Sequence, residues 1–346
     1  MKISSILTSR TFEKNPSFHL LYEWEDDLSI DLAAPVIDAK PFYRKALINR
    51  YTKKIVSTLG ERSFERLNEI VESPNPLRSA GKSNLVFELY VATEPNFSTS
   101  SRAIPILVDF WKHTDLKLFY HTYRHCKLIL VSSLEAFNFL KANSCPLNIA
   151  HFPLSLSDRY RLQPEQIYPK LYDILLAGRL NIRTNQILRN YLEEFIIKFP
   201  EVEYLYQKEI DGEFYYISNK RGAIGKFQSR EDYMRLLRAS KVSFYSTPGL
   251  DGGEKRTGGF NPVTPRYLEL LSAQCLLLGR YPKNEETDFY ELSNVCPNVE
   301  SYEEFESTLL GYLNQNTSTF TAHREILEKH YTSCRAQQLL ELLRQQ

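Results

Sequence analysis

Residues 241–274 read KVSFYSTPGLDGGEKRTGGFNPVTPRYLELLSAQ. The opening run, Lys241 to Ser246, carries Val242, Phe244 and Tyr245 and predicts a strand. The loop that follows, Pro248 to Val263, holds five of the chain's thirteen glycines. Thr264-Pro265 then predicts an N-cap and a first helical residue, with the helix running to about Gln274. Cys275 to Gly279 predicts the next strand. Glycines let a backbone approach a ligand closely, and the start of a helix aims free N–H groups and a positive dipole end into the same space. Such a unit suits a diphosphate, with Gly258 and Gly259 in the loop and Lys255, Arg256 and Arg266 adding positive charge. Arg266 and Glu269 share a helix face, where a carboxylate suits the two hydroxyls of a ribose; an ordinary surface ion pair has the same spacing. The loop matches neither the Walker A pattern nor GxGxxG.

Outward from this unit the chain alternates between strand-like and helix-like stretches. Asn84 to Ala92 (NLVFELYVA), Ala103 to Phe110 (AIPILVDF), Lys127 to Ser132 (KLILVS) and Leu147 to Phe152 predict strands, with helices at Thr114 to His125 and Ser133 to Lys141. After the polar, proline-containing segment 155–170, Asp173 to Leu176, Glu203 to Tyr206 and Lys241 to Ser246 predict further strands. Helices fall at Asn185 to Phe199 and Ser229 to Ala239. Alternation of this kind predicts an α/β protein of two Rossmann-like domains facing a cleft. The expected division is residues 1–158, a linker at 159–170, a second domain at 171–321 and a C-terminal helix at 322–346. The first eighty residues read mainly as helix, notably Phe18 to Leu32 and Phe42 to Leu59, until Pro74-Asn75-Pro76 and Gly81 break the pattern. Ser301-Tyr302-Glu303-Glu304 predicts a capping box. Tyr215-Tyr216 with Lys220-Arg221 predicts a hairpin on the core.

Composition sets limits on function. The 43 basic residues almost cancel the 42 acidic ones, so no global field points to nucleic acid. Five scattered cysteines without CxxC spacing predict reduced thiols and a cytoplasmic protein. No secretory signal and no transmembrane stretch is expected; peripheral membrane contact stays compatible with the sequence. His121, His125 and Cys126 lack a further ligand cluster, and Asp26-Asp27 sits in a polar helix, so no metal site is expected.

The stretch Asp173 to Leu180 (DILLAGRL), with Arg183 just after it, resembles the opening strand and loop of the C-terminal domain in group 1 glycosyltransferases. Residues 262–278 (PVTPRYLELLSAQCLLL) resemble the donor helix of that family, and Val131-Ser132-Ser133 its strand-end serine. The resemblance covers roughly residues 100 to 345. It implies the GT-B fold, with Gly178, Arg179 and Arg183 on the donor diphosphate and Glu269 on the nucleotide ribose. It also implies transfer of a sugar from a nucleotide-diphosphate donor to a hydroxyl of a glycan or lipid-linked saccharide in polysaccharide biosynthesis. No cofactor beyond the nucleotide-sugar substrate is expected. Two departures stand out. The family's first glutamate is Asn261 here, and the glycine that closes the donor helix is Gln274. A nucleotide-sugar epimerase on the same fold and a non-catalytic glycan- or partner-binding member are the rival readings.

For the proton removed from an acceptor hydroxyl, Asp109 and His113 follow the strand Ile104 to Phe110, with Glu94 a weaker candidate. His113 has the better intrinsic pKa, and the family commonly has a histidine after this strand. An aspartate serves only when desolvated or oriented. Either residue could instead cap the helix starting near Thr114.

Overall fold

The computed structural model describes residues 2–39, 82–91, 102–179, 185–226, 229–315 and 320–345. The expected helix at Phe42 to Leu59, the break at Pro74 to Gly81, Glu94 and Arg183 lie outside the described residues, as does the side chain of Arg179.

The N-terminal sheet is fully parallel, in the order β2-β1-β3-β4-β5-β6. Its strands are β1 (Lys2–Thr8), β2 (Val36–Asp38), β3 (Lys82–Tyr90), β4 (Ala103–Asp109), β5 (Ile129–Val131) and β6 (Ile149–His151). The start of the chain departs from the helical expectation, because β1 and β2 are strands. In β1 the apolar Ile3, Ile6 and Leu7 are buried, and so is Ser5. The polar groups are satisfied: Ser4 and Ser5 both donate from Oγ to Asn84 Oδ1 on β3, at 2.8 and 2.9 Å. Cross-strand bonding thus lets a serine-containing segment sit in a central strand. Helix α1 (His19–Asp31), α2 (Leu116–Tyr123) and α3 (Leu134–Ala142) complete this half. Asp115 caps α2 and Ser133 caps α3, each through a side-chain oxygen, so neither Asp109 nor His113 is the α2 cap.

The C-terminal sheet has the order β10-β9-β8-β7-β11-β12. It comprises β7 (Tyr172–Arg179), β8 (Tyr204–Ile210), β9 (Glu213–Ser218), β10 (Gly222–Lys226), β11 (Ser240–Ser246) and β12 (Leu276–Arg280). Strands β8, β7, β11 and β12 are parallel, while β9 and β10 add an antiparallel extension. Around it run α4 (Gln186–Lys198), α5 (Arg230–Arg238), the single turn α6 (Glu254–Thr257), α7 (Pro265–Ser272), α8 (Glu285–Phe289) and α9 (Tyr302–Asn314). In each sheet the strand order reverses once, between β1 and β3 and between β7 and β11. These are the topological switch points outside which α/β sheets bind ligands.

The tail also differs from one continuous helix. It forms α10 (Thr321–Glu328) and α11 (Thr332–Arg344), separated at Tyr331, which makes a parallel bridge to Leu156. Helix α11 packs back on the N-terminal half, where Ala336, Leu339 and Leu343 share a core with Ile3, Ile6 and Leu28. Within the 159–170 segment, Tyr160 and Leu162 are buried in the C-terminal core. The two halves are thereby crossed twice by one chain, which fixes the cleft between them.

Candidate active site

Between the halves lies a cleft of about 740 Å³. It opens at the carboxyl ends of both sheets, touching Tyr90, Val108 and Asp109 at the ends of β3 and β4, and Gly178 and Ser246 at the ends of β7 and β11, the C-terminal switch point. Arg256, Thr264, Arg266 and Glu269 line it too. Lys255, Gly258, Gly259 and His113 do not, and all four are exposed.

Strand β7 slips its register against β8 between Leu176 and Arg179. The slip contains Gly178, whose φ of +104° is open only to glycine at low cost. The guanidinium of Arg266, from the first turn of α7, fills the space beside it: a Cβ on Gly178 would stand 2.5 Å from Arg266 Nη2. Nε of Arg266, Oγ of Ser246 and Oδ1 of Asn185 are buried without a hydrogen-bond partner among the described residues. All three belong to residues lining this cleft. Unspent buried polar atoms are rare in folded proteins, and three of them belong to residues around this one concavity. Arg189 lies near enough for the charge of Arg266, after burial, to lower its pKa.

Glu269 is buried and accepts a hydrogen bond from Arg230 Nη2. Arg230 also pairs with Glu23 of α1 at 3.2 Å, and Glu23 accepts from the hydroxyl of Tyr160. A single arginine thus ties helix α7 to the N-terminal half through two carboxylates. Arg230 stands at the start of α5, where the sequence shows only the Ser229 cap and its acidic first turn; no local signal marks its partner 39 residues away. Tyr216 and Tyr233, also on the cleft, keep their protons at neutral pH because burial raises both pKa values.

Across the cleft, burial raises Asp109 to about 7, opposed in part by the charge of Arg256. Arg256 in turn stands 5.6 Å over the ring of Trp111. Asp109 is therefore a carboxylate that exchanges a proton near neutrality while facing the interdomain space.

The glycine-rich loop faces largely the other way. Phe260 is buried in the N-terminal core, edge-on to Phe139 at 5.3 Å. Gly258, at φ +69°, abuts Lys112 and the backbone of His113. Asn261 holds the loop's base: its Oδ1 accepts from Thr247 Oγ1 at 2.8 Å and from the Gly249 amide at 3.1 Å. The loop clasps one half to the other, which accounts for three of its site candidates lying off the cleft. On the other side of α7, Gln274 takes the left-handed position, at φ +56°. The amides of Gln274 and Cys275 bond to Leu271 and Leu270, closing the helix as a Schellman turn. Its side chain accepts from the Tyr168 amide at 3.1 Å and donates to Gln166 O. Gln274 thus pins the interdomain segment, which a glycine cannot do.

No protein-family model matches the sequence, and no curated protein matches it. Among solved structures, the sucrose-phosphate synthase of Thermosynechococcus elongatus superposes with a TM-score of 0.51 over 100% of this chain and 99% of that one, at 9% identity. The chain has the GT-B fold. Two others are similar at lower scores. The pneumococcal O-GlcNAc transferase GtfA, solved with UDP and GlcNAc, gives 0.46 at 12% identity over 83% of this chain. The UDP-GlcNAc 2-epimerase of Methanocaldococcus jannaschii, solved with UDP-GlcNAc and UDP, gives 0.44 at 11% identity over the full length of both. The matched region spans 60% of the length of GtfA. Among the described residues no helix is long and apolar enough to cross a membrane.

Proposed function

We propose that this GT-B chain is a glycosyltransferase that moves a sugar from a nucleotide-diphosphate donor to an acceptor hydroxyl of a glycan or lipid-linked saccharide. The observation that carries the reading is the buried guanidinium of Arg266 beside Gly178, its Nε without a hydrogen-bond partner among the described residues, set at the switch point of the C-terminal sheet with Ser246 and Asn185. A diphosphate is an anion of the right size to engage Arg266 and the positive dipole end of α7. Glu269, held by Arg230, is placed to meet the ribose of the same nucleotide.

In the reaction the acceptor oxygen attacks the anomeric carbon, and the bond from that carbon to the donor phosphate breaks. The nucleoside diphosphate leaves with the bonding electrons, and its new charge falls beside Arg266 and the dipole of α7. Asp109 takes the acceptor proton as the bond forms, a role matched to its pKa of about 7. The cationic side chains supply the leaving-group stabilisation that a divalent ion gives elsewhere, so transfer should survive chelation.

The direct test is thermal-shift screening with a panel of nucleoside diphosphates. At least one should raise the melting temperature by mass action. The matching nucleotide sugar, incubated alone and followed by NMR, should stay unconverted. A panel with no stabilising member would remove the donor site, and quantitative isomerisation would make the chain an epimerase.

A further inference from the structure

The two walls of the cleft differ in chemistry. The C-terminal wall is polar and cationic, as described above. The N-terminal wall is built from Leu20 and Trp24 of α1, Leu89 and Tyr90 of β3, and Val108 of β4. Besides Asp109 and the hydroxyl of Tyr90, only Asn15 and Ser17 contribute polar side-chain groups at its rim among the described residues. Tyr90 is 55% exposed, and Phe18 meets its ring edge-on at 6.5 Å. An exposed tyrosine propped by a second ring at the end of a central strand presents a preformed flat apolar surface.

Tyr90 and Asp109 are register partners on the adjacent parallel strands β3 and β4. Any hydroxyl delivered to Asp109 therefore brings the body that carries it against Tyr90, Leu89 and Leu20. A free saccharide exposes hydroxyls on every edge, and each one buried without a partner is costly. Sites selective for such groups supply matched hydrogen bonds, and this wall supplies few.

Resting on the donor reading above, we infer that the acceptor carries its reactive hydroxyl on, or next to, an apolar body, aromatic or alkyl, which this wall receives. The selectivity resides in the wall, and Asp109 only takes the proton.

The test uses three glucosides with the same polar part, methyl, octyl and phenyl β-glucoside, titrated into the full chain by ligand-observed NMR. Titrations are run with and without the nucleoside diphosphate returned by the donor screen. The phenyl or octyl compound should bind at least tenfold more tightly than the methyl one, and whichever leads identifies an aromatic or an alkyl body. Tyr90→Ser, an exposed position whose replacement leaves the core intact, should erase most of that preference while nucleoside diphosphate binding persists. Equal affinity for all three glucosides, or a preference unchanged in Tyr90→Ser, overturns the inference. Apolar selectivity without any nucleotide binding would instead keep the wall and refute the donor site, so the two failures are separable.

Discussion

The guanidinium of Arg266 occupies the volume that a side chain at Gly178 would need. A Cβ there would stand 2.5, 2.8 and 2.9 Å from its Nη2, Cζ and Nη1. Space and backbone conformation both demand glycine, because φ at this position is +104°. The pair binds a strand end to a helix start, and it sets where the positive charge of the cleft sits.

Gly178→Ala should therefore act through Arg266. The strain of a side chain at this φ is on the order of 1–2 kcal/mol, a modest loss of stability. The displaced guanidinium should weaken nucleoside diphosphate binding tenfold or more. Arg266→Lys should do comparable damage, since a point charge on a flexible stem does not replace a planar fork. Calorimetry on both variants decides the matter; wild-type affinity in either would detach this pair from the ligand.

Asp109 gives the reaction its pH dependence. Its folded pKa is raised to about 7 by burial, so below that value it is protonated and cannot accept a proton. Transfer should rise with pH through about 7 and level off above it. Asp109→Asn should lower turnover by about 10²–10⁴ and abolish that limb. It should not lower the melting temperature at pH 8, where the wild type carries a buried charge that the amide lacks. Full activity in Asp109→Asn would return the proton to another group.

How far the sequence discloses this site depends on how local its signals are. Strands β4, β5, β7 and β12 are built on apolar runs, β11 carries Val242, Phe244 and Tyr245, and the cap at Ser301 is written in four residues, so these parts of the fold are legible directly. Strand β1 is not, because Ser4 and Ser5 are admitted only through Asn84, some eighty residues away. Gly178, Arg266 and Glu269 are visible in their strand-loop and helix-start settings, and Asp109 as a strand-end carboxylate. The glycine-rich loop misleads because composition reports backbone freedom, not which body fills the space; the deciding residue is Phe260, seated in the opposite core. Arg230 gives no signal, since its role is defined by Glu23 and Glu269 from two other helices.

Arg230 is the basis of a stability contrast. Glu23 and Glu269 have side chains only 7% and 5% exposed, and Arg230 serves both. Arg230→Met should strip buried Glu269 of its hydrogen-bonded cation, leave Glu23 only the longer pair with Arg159 at 3.7 Å, and destabilise the chain by about 3 kcal/mol. The surface pair of Arg235, 76% exposed, with Asp232 is the control: Arg235→Met should cost under ~1 kcal/mol. Thermal or urea unfolding compares them, and equal, small effects would mean that water reaches the first pair.

Glu286 links the halves through a proton. Its Oε2 accepts from Ser133 Oγ and the Glu135 amide, both at 3.0 Å, and Oε1 from the Val263 amide at 3.3 Å. It thus extends the cap of α3 from the opposite half. These bonds favour the carboxylate, but burial outweighs them and raises the pKa from 4.5 to about 7. Between these two values the folded chain keeps a proton that the unfolded chain has released. Stability from this group is therefore full below pH 4.5 and declines as pH rises to about 7. The glutamine variant Glu286→Gln has no such titration. The stability difference, wild type minus variant, should thus shrink by on the order of 1–3 kcal/mol from pH 4.5 to 7.5 and stay constant above. Urea unfolding of both proteins at half-unit pH steps measures it. A difference that does not change with pH would show that the interdomain contact holds Glu286 ionised throughout, and that its three donors outweigh its burial.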